Sequence, residues 1–314
     1  MFRNFAAYPS FIVFVAFTLA VVITLILMFF WIKIVKRSHI GQQVRVDGPE
    51  THLVKQGTPT MAGVAMVVSL VVTLLIVGIW VPEVIGLVVA TVAAAVLGFI
   101  DDGAKVIFKR SLGLTPTAKL VAQFLIATCF ILYVVNRCGV SALINIPFVC
   151  ELDFGVLTTV VPIGVGIRIP WLYVIFVDLL IVGMCNAVNL SDGLDGLAAG
   201  ESTMTLLIMA AIAYRANQLA PALVGSAAAG TCIGFLWHNA HPAEIFMGDT
   251  GSLSLGMAFG CLSVLTKTEF LSIVIGGMFV LEAVSVMLQV GYYKLTHKRL
   301  FLMAPLHHHF EKKG

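Results

Sequence analysis

Charge is scarce in this 314-residue sequence, in which Asp, Glu, Lys and Arg make up only 11% of the residues. A soluble domain carries about 25% charged residues. Hydrophobic residues make up 60%, and they fall in uncharged runs close to the ~20 residues that a helix needs to cross a hydrocarbon layer. The alternation typical of outer-membrane barrel strands is missing. The composition therefore argues against a soluble domain and predicts an all-α polytopic membrane protein.

Cysteine is also sparse, and the six cysteines show no spacing typical of a zinc site. Four of them lie in or near apolar runs, where cysteine usually acts as a packing residue. The other two, Cys138 and Cys150, share one predicted outer loop. A disulfide between these two is left open by the sequence.

Nine apolar runs are long enough to be read as membrane spans, and no separate soluble domain or low-complexity segment interrupts them. We therefore expect one integral-membrane domain over residues 1–314. The predicted spans are 11–32, 61–81, 84–100, 118–135, 171–187, 197–214, 221–237, 250–266 and 270–290.

Lys and Arg are unevenly divided between the loops that join these spans. Alternating the loops between two sides places 14 of the 19 basic residues on one side. This bias marks the cytoplasmic side, so we predict a multi-pass membrane protein with an outer N-terminus and an inner C-terminus. Lys33 to Arg37 flank the first run, and no small-residue cleavage site follows it, so we expect a retained helix.

The longest predicted outer loop, about 136–170, contains β-branched residues between Phe154 and Val161 and several turn-forming Pro and Gly residues. These features predict a short β-hairpin on the outer face.

Nearly all polar residues that could do chemistry lie in the predicted inner loops. The segments are GPETHLVKQGTPTMAG (48–63), FIDDGAK (99–105), NAVNLSDGLDG (186–196), WHNAHPAEIFMGDTGS (237–252) and APLHHHFEKKG (304–314). The topology derived from hydropathy and charge puts all five on one face, so we expect them to form one site.

Asp101 and Asp102 end an apolar run of about sixteen residues. Consecutive helical residues point ~100° apart, so one carboxylate can face a metal or phosphate while the other faces a lysine. Lys105 lies one turn from Asp101 and is expected to neutralise it in part. The alternative is a solvated helix end.

The segment NLSDGLDG places Asp192 and Asp195 three residues apart, with glycines between them. Asn186 and Asn189 add amide donors and acceptors at the same boundary. This density of amides and carboxylates suits a base or a sugar. An Asp-Gly turn between two helices is the simpler reading.

Asp249 stands just before a predicted span and is either a helix N-cap or a ligand for Mg²⁺, which prefers oxygen atoms. Phe246 is either a stacking face for a base or an interfacial packing residue. The segment containing Lys55 and Thr60 resembles an anion-binding helix start, although it lacks the Walker A spacing.

Three consecutive histidines, His307, His308 and His309, follow the last predicted span. Successive residues cannot all face one point, so they alone do not predict a three-histidine metal site. Histidine at a membrane surface can bind phosphate or act as an acid or base. A polar interfacial loop remains the alternative.

Three further carboxylates fall in or near the predicted spans, namely Asp178, Glu201 and Glu282. Intramembrane carboxylates are candidates for function by default, but most charges of this chain gather at one face. We give these three less weight, and expect Glu282 to face a polar interior beside a ninth helix broken at Gly276 and Gly277.

Carboxylates for a metal, cations for phosphates and an amide-rich pocket on one face of a membrane bundle indicate phosphoryl transfer between a soluble nucleotide and a lipid. A transporter would carry charges near the span centres and a repeat between its halves. Neither is evident. A non-catalytic scaffold does not explain the density of Asp, Asn and His on one surface.

These five segments, in this order, resemble the phospho-N-acetylmuramoyl-pentapeptide transferases of the polyprenyl-phosphate N-acetylhexosamine-1-phosphate transferase superfamily. The resemblance covers essentially the whole chain. The GTPTM and HHH stretches favour this branch over the N-acetylglucosamine branch, which is the alternative.

The resemblance implies transfer from UDP-N-acetylmuramoyl-pentapeptide to undecaprenyl phosphate, giving lipid I and UMP with Mg²⁺ as cofactor. It implies that Asp249 binds the metal and that Asp101, with Asp102 beside it, engages or deprotonates the lipid phosphate. His307 is counted with the catalytic residues. The expected substrate-binding residues are Lys55, Thr60, Lys119, Asn186, Asn189, Asp192, Asp195, Asn239, Phe246, His308 and His309.

The implied partners are the two substrates and the lipid bilayer, without nucleic acid, and a homodimer is left open. Ala62, Ser191 and Gly103 are mild departures from the family pattern. The family normally continues into a tenth span after its histidine motif, whereas this sequence stops at Gly314. We therefore expect the chain to lack that last span, as a naturally short or a truncated form.

Overall fold

A computed structural model describes residues 8–38, 41, 57–108, 113–162 and 166–313. The chain is mostly helical. Its helices are α1 (Pro9–Arg37), α2 (Gly63–Val77), α3 (Pro82–Ile107), α4 (Pro116–Arg137), α5 (Trp171–Ser191), α6 (Leu197–Arg215), α7 (Leu219–Asn239), α8 (Gly248–Leu265), α9 (Glu269–Ile275), α10 (Gly277–Thr296) and α11 (Leu306–Lys313).

Each of the nine predicted runs coincides with helical structure. Among the described residues, seven helices are long and apolar enough to cross a membrane, namely α1, α3, α4, α5, α6, α7 and α10. Of the other two runs, one corresponds to α2, which has 15 residues, and one to α8, which has 18. The mostly helical fold with several helices that could cross a membrane is therefore confirmed, while the number of nine spans is not.

The ninth run is broken, as the sequence predicted. Helix α9 ends at Ile275 and α10 begins at Gly277. Gly276 lies in the break, where a Cβ atom would come within 2.7 Å of the Phe259 ring. The break separates a short, partly buried segment from the longer helix that carries Glu282.

Two small antiparallel sheets occupy the loop between α4 and α5, where the sequence predicted one hairpin. Strands β1 (Leu143–Ile146) and β2 (Cys150–Asp153) form the first sheet, and β3 (Thr158–Val161) and β4 (Ile167–Pro170) form the second. Cys138 is half-buried, Cys150 is exposed, and both are free thiols. The disulfide left open by the sequence is therefore not formed in this structure.

Helix α8 is the centre of the bundle, and every residue from Thr250 to Leu265 is buried. It packs mainly against α3 and α5. Its glycines allow main chain to approach main chain, as at Gly256, where a Cβ would lie 2.5 Å from the Cα of Cys185. At Gly98 of α3, a Cβ would overlap the backbone of Asp249, so the first turn of α8 lies directly against α3.

Candidate active site

The last two turns of α3 carry the paired carboxylates Asp101 and Asp102, and both side chains are buried. Lys105 lies on the same side of the helix, with its Nζ 2.6 Å from Oδ2 of Asp101 and 3.6 Å from Oδ1 of Asp102. The predicted pairing of Asp101 with Lys105 is confirmed. The backbone N–H of Leu114 donates to Oδ1 of Asp101 at 2.8 Å.

Asp102 acts as a cap for α8, although it belongs to another helix. Its carboxylate accepts the backbone N–H groups of Asp249 and Thr250 at 3.1 and 2.9 Å, and the Thr250 hydroxyl at 2.8 Å. Unpaired N–H groups and the helix dipole make a helix N-terminus favourable for a carboxylate. Gly98 permits this contact, because a Cβ there would overlap the backbone of Asp249.

Asp249 stands where four helices meet. Its Oδ2 lies 2.9 Å from Nζ of Lys105 on α3 and 2.7 Å from Nζ of Lys119 on α4. Its Oδ1 accepts a hydrogen bond of 2.9 Å from Nδ2 of Asn189 on α5, and the same amide donates to Ser252 at 2.8 Å. Asp249 is both an N-terminal residue of α8 and the hub of a charged cluster.

Asp101, Asp102 and Asp249 each offer a carboxylate oxygen, and these oxygens lie within 4.8 Å of one another. Hard oxygen donors suit Mg²⁺. If all three are ionised, they outnumber the two lysines by one negative charge. The donor set therefore fits a divalent cation.

Deeper along the interface between α4 and α5, Asn186 donates to Oε1 of Gln123 at 2.6 Å. This amide pair continues the polar contact between Lys119 and Asn189, which lie 3.4 Å apart. The two helices are thus joined by polar groups over the turns nearest to the carboxylate cluster.

The histidine helix α11 lies over the loop that follows α5. A Cβ at Gly193 would overlap Nε2 of His307. Behind the ring, the His307 backbone N–H donates to both oxygens of Glu282 at 3.2 Å, and Nδ1 lies 3.2 Å from Oε2. Burial, followed by the neighbouring His308, lowers the pKa of His307.

Asp192 follows the last residue of α5 in this same region. Burial raises its pKa to about 7, and the negative charges of Asp249 and Asp102 contribute to the shift. This electrostatic influence connects the loop of Asp192 with the carboxylate cluster.

His308 and His309 point to different partners, which agrees with the expectation that three successive histidines do not face one point. Nδ1 of His308 lies 2.9 Å from Oε2 of Glu311. Nδ1 of His309 accepts the backbone N–H of Leu302 at 3.1 Å.

Asp195 and Asn239 hold the loop that precedes α8. Asp195 accepts the backbone N–H of Ala243 at 3.2 Å. The buried amide of Asn239 donates to the carbonyl of Ile245 at 3.0 Å and accepts the N–H of Gly196 at 2.9 Å. Both predicted substrate residues thus have structural contacts in this loop.

Phe246 and Thr60 lie on two segments joined by main-chain bonds. The N–H of Phe246 donates to the carbonyl of Pro59 at 2.8 Å, and the N–H of Ala62 donates to the carbonyl of Phe246 at 3.1 Å. Thr60 is buried. Lys55 lies outside the described residues.

The structure adds residues to which the sequence gave little or no weight in the site. Lys105 was paired with Asp101 alone, but it also contacts the distant Asp249. Glu282 received less weight as an intramembrane carboxylate, yet it holds the histidine helix. Gln123 carried no motif, and only its spacing of four from Lys119 on one helix could have indicated it.

Comparison with known proteins agrees with this geometry. Residues 84–267 match the family described as Glycosyl transferase family 4. The phospho-N-acetylmuramoyl-pentapeptide-transferase of Caldicellulosiruptor bescii is 44% identical, over 95% of this chain and 88% of that protein. The protein of the same name from Halalkalibacterium halodurans is 42% identical over 94% and 88%. That from Geobacillus thermodenitrificans is 40% identical over 98% and 91%. Taken with the carboxylate cluster and the order of the motifs, these matches show that the chain belongs to Glycosyl transferase family 4 and to the phospho-N-acetylmuramoyl-pentapeptide transferases.

Proposed function

We propose that this protein transfers phospho-N-acetylmuramoyl-pentapeptide from its UDP carrier to undecaprenyl phosphate, giving lipid I and UMP. The observation that carries the proposal is the meeting of Asp101, Asp102 and Asp249 with Lys105 and Lys119 at one end of apolar helices. The names of the relatives favour this substrate over UDP-N-acetylglucosamine.

The chemistry follows from the products. UMP leaves with one phosphate, so the bond that breaks joins the two phosphates of the UDP carrier. The bond that forms joins an oxygen of the lipid phosphate to the phosphorus that bears the sugar. Such a transfer depends on positioning and on neutralisation of phosphate charge.

The carboxylates would hold Mg²⁺, with Asp249 as the principal ligand. The ion, when bound, supplies charge neutralisation on the phosphates. Asp101 engages or deprotonates the lipid phosphate, because its side chain lies in the last two turns of a helix that could cross the membrane. Asp102 keeps Asp249 in place through its bonds to the first turn of α8.

The nucleotide and sugar are proposed to bind around the loops beside this cluster. The residues assigned to uridine and sugar are Lys55, Thr60, Asn186, Asn189, Asp192, Asp195 and Phe246. Lys119 and His307 to His309 are assigned to the phosphates. Asn239 acts through the loop that it fixes, since both ends of its amide are engaged there.

A release assay tests the function. The full chain in detergent or liposomes is incubated with undecaprenyl phosphate, Mg²⁺ and either UDP-N-acetylmuramoyl-pentapeptide or UDP-N-acetylglucosamine, and UMP is measured. We expect UMP only with the pentapeptide substrate and only when the lipid is present. Release of UMP with UDP-N-acetylglucosamine but not with the pentapeptide substrate would overturn the substrate assignment.

The orientation is proposed to place the site at the cytoplasmic face and the N-terminus outside. A cysteine at Gly103 is a suitable probe, because a Cβ there meets nothing within 4 Å. In a cysteine-free background, Gly103→Cys should react with an impermeant reagent from the cytoplasmic side, and undecaprenyl phosphate should slow the reaction. A chain that keeps only the exposed Cys150 should be labelled from outside. The reverse pattern would show that the orientation is wrong.

A further inference from the structure

The ammonium group of Lys105 lies among all three carboxylates of the cluster. Its Nζ is 2.6 Å from Asp101 Oδ2, 2.9 Å from Asp249 Oδ2 and 3.6 Å from Asp102 Oδ1. A single cation that bridges these carboxylates would need this same space, because Mg²⁺ binds its oxygen ligands at about 2.1 Å.

The carboxylate oxygens that Lys105 contacts most closely are two that accept no hydrogen bond from Leu114 or Asn189. The N–H of Leu114 donates to Oδ1 of Asp101, and the amide of Asn189 donates to Oδ1 of Asp249. Lys105 contacts Oδ2 of both carboxylates, and Lys119 also contacts Oδ2 of Asp249.

The formal charges also indicate that a bound divalent cation would displace a lysine. With all three aspartates ionised, a divalent cation and both lysines would leave the cluster with one positive charge. The cluster becomes neutral when one lysine withdraws. Like charges in a half-buried site repel strongly, so cation binding favours the departure of a lysine.

Lys105 is better placed to leave than Lys119. The Lys105 side chain is 29% exposed and lies in the last two turns of α3, whereas the Lys119 side chain is 16% exposed and also contacts Asn189. The flexible stem of a lysine allows its ammonium to move without moving the helix.

We infer that Lys105 is an exchangeable counter-ion, which neutralises the carboxylates when no divalent cation is bound and swings toward the substrate phosphates when one binds. The inference rests on the metal site of the proposed function. It assigns Lys105 a positioning role for the carboxylates in one state and a phosphate contact in the other.

Mn²⁺ alone is the probe for the first test. Free Mn²⁺ is measured by its paramagnetic resonance signal during titration of the full-length chain in detergent. The Mn²⁺ binding that is lost in Asp249→Asn is assigned to this site. We expect Lys105→Met to bind Mn²⁺ more tightly by about tenfold or more, because a competing charge within about 4 Å is removed. Lys105→Arg should stay close to the unaltered protein.

Two matched variants control for the loss of a lysine. Lys33→Met removes a cation that lies over the Phe29 ring and should leave Mn²⁺ affinity unchanged. Lys119→Met should raise the affinity less than Lys105→Met. Equal or weaker Mn²⁺ binding in Lys105→Met than in the unaltered protein would overturn the inference.

The second readout follows Lys105 itself. An amine-acylating reagent is applied with and without Mn²⁺, and modification of each lysine is measured by peptide mass spectrometry. We expect Mn²⁺ to increase acylation of Lys105 more than that of Lys119. Protection of Lys105 by Mn²⁺ would contradict an exchange.

The exchange of Lys105 and the metal site of the proposed function can be disproved separately. If the protein releases UMP and binds Mn²⁺ through Asp249, but Lys105→Met does not bind it more tightly, the exchange alone is wrong. If no variant shows Mn²⁺ binding that Asp249→Asn removes, the exchange and the metal site of the proposed function are both wrong.

Discussion

Within the part of the chain that the structure describes, lysine meets buried carboxylate at two places, and the two clusters differ in composition. In the loop between α8 and α9, Nζ of Lys267 lies 2.7 Å from Oε1 of Glu269 and donates at 3.0 Å to the Tyr173 hydroxyl and to the Ser141 carbonyl. One cation there meets one carboxylate. In the active-site cluster, two lysines meet three carboxylates.

The comparison shows how the surroundings of an ion pair indicate its task. The three donors of an ammonium group are matched at Lys267 by three acceptors. Such a buried, balanced pair stabilises one arrangement of the chain, and removal of one partner leaves an uncompensated charge. The active-site cluster keeps an excess of negative charge, as expected of a site that binds a further cation.

The largest expected effect is on transfer in Asp249→Asn. The change removes the charge that both lysines contact and that a divalent cation requires. We expect UMP release to fall by about a thousandfold or more, since electrostatic contributions of this kind are among the largest in catalysis. Thermal unfolding in detergent should change little. Release within tenfold of the unaltered protein would show that Asp249 is not the metal ligand.

Lys267→Met tests the other cluster and should affect stability instead. Breaking a buried pair costs about 3–5 kcal/mol, because Glu269 is left without its cation. The free energy of unfolding, measured with denaturant in detergent, should fall by about this amount. UMP release per folded molecule should be unchanged. A selective loss of release, with unaltered stability, would remove the distinction between the two clusters.

Asp192→Asn should act on the nucleotide, since Asp192 lies beside the cluster but outside its lysine pairs. We expect the KM for the UDP substrate to rise about tenfold, as for loss of a hydrogen bond to a charged group. Asp195→Asn is the companion variant and should also destabilise the loop that holds Ala243. If the KM stays the same in both, the aspartates form only a turn.

The expected effect of Tyr173→Phe on stability is smaller than that of Lys267→Met. It removes one hydroxyl that donates to Glu269 at 2.9 Å and accepts from Lys267 at 3.0 Å, while the ion pair between Lys267 and Glu269 remains. The free energy of unfolding should fall by about 2 kcal/mol, typical of two hydrogen bonds. The measurement is the same denaturant titration, with Lys267→Met as the reference. An effect as large as that of Lys267→Met would show that the hydroxyl, and not the pair, holds this cluster.

Much of the fold could be predicted from the sequence, because apolar runs and helix length are properties of the chain alone. The gathering of the polar loops could be predicted too, since charge bias assigns each loop to a side. The central place of α8 could not. Its small residues look like an ordinary apolar span until the helices that touch them are known.

The sequence indicated which residues belong to the candidate site better than it indicated which of them contact one another. Asp249, Asp101 and Asn189 were found from their motifs, whereas the third contact of Lys105 depends on how closely α3 and α8 approach. Glu282 received less weight because most charges gather at one face, and its contact with His307, 25 residues further along the chain, depends on the fold. The role of Lys55 remains a prediction, since it lies outside the described residues.

Two glycines of neighbouring helices pack against the first turn of α8 and bring the helix backbones into direct contact. Gly63 and Gly98 bring two neighbouring main chains against Gly251 and Asp249 with no side chain between them. Because nothing compressible separates these helices, a bilayer that is thicker or thinner than the bundle tilts them together. We therefore expect the main chains that carry Asp101 and Asp249 to keep their separation when the thickness of the bilayer changes.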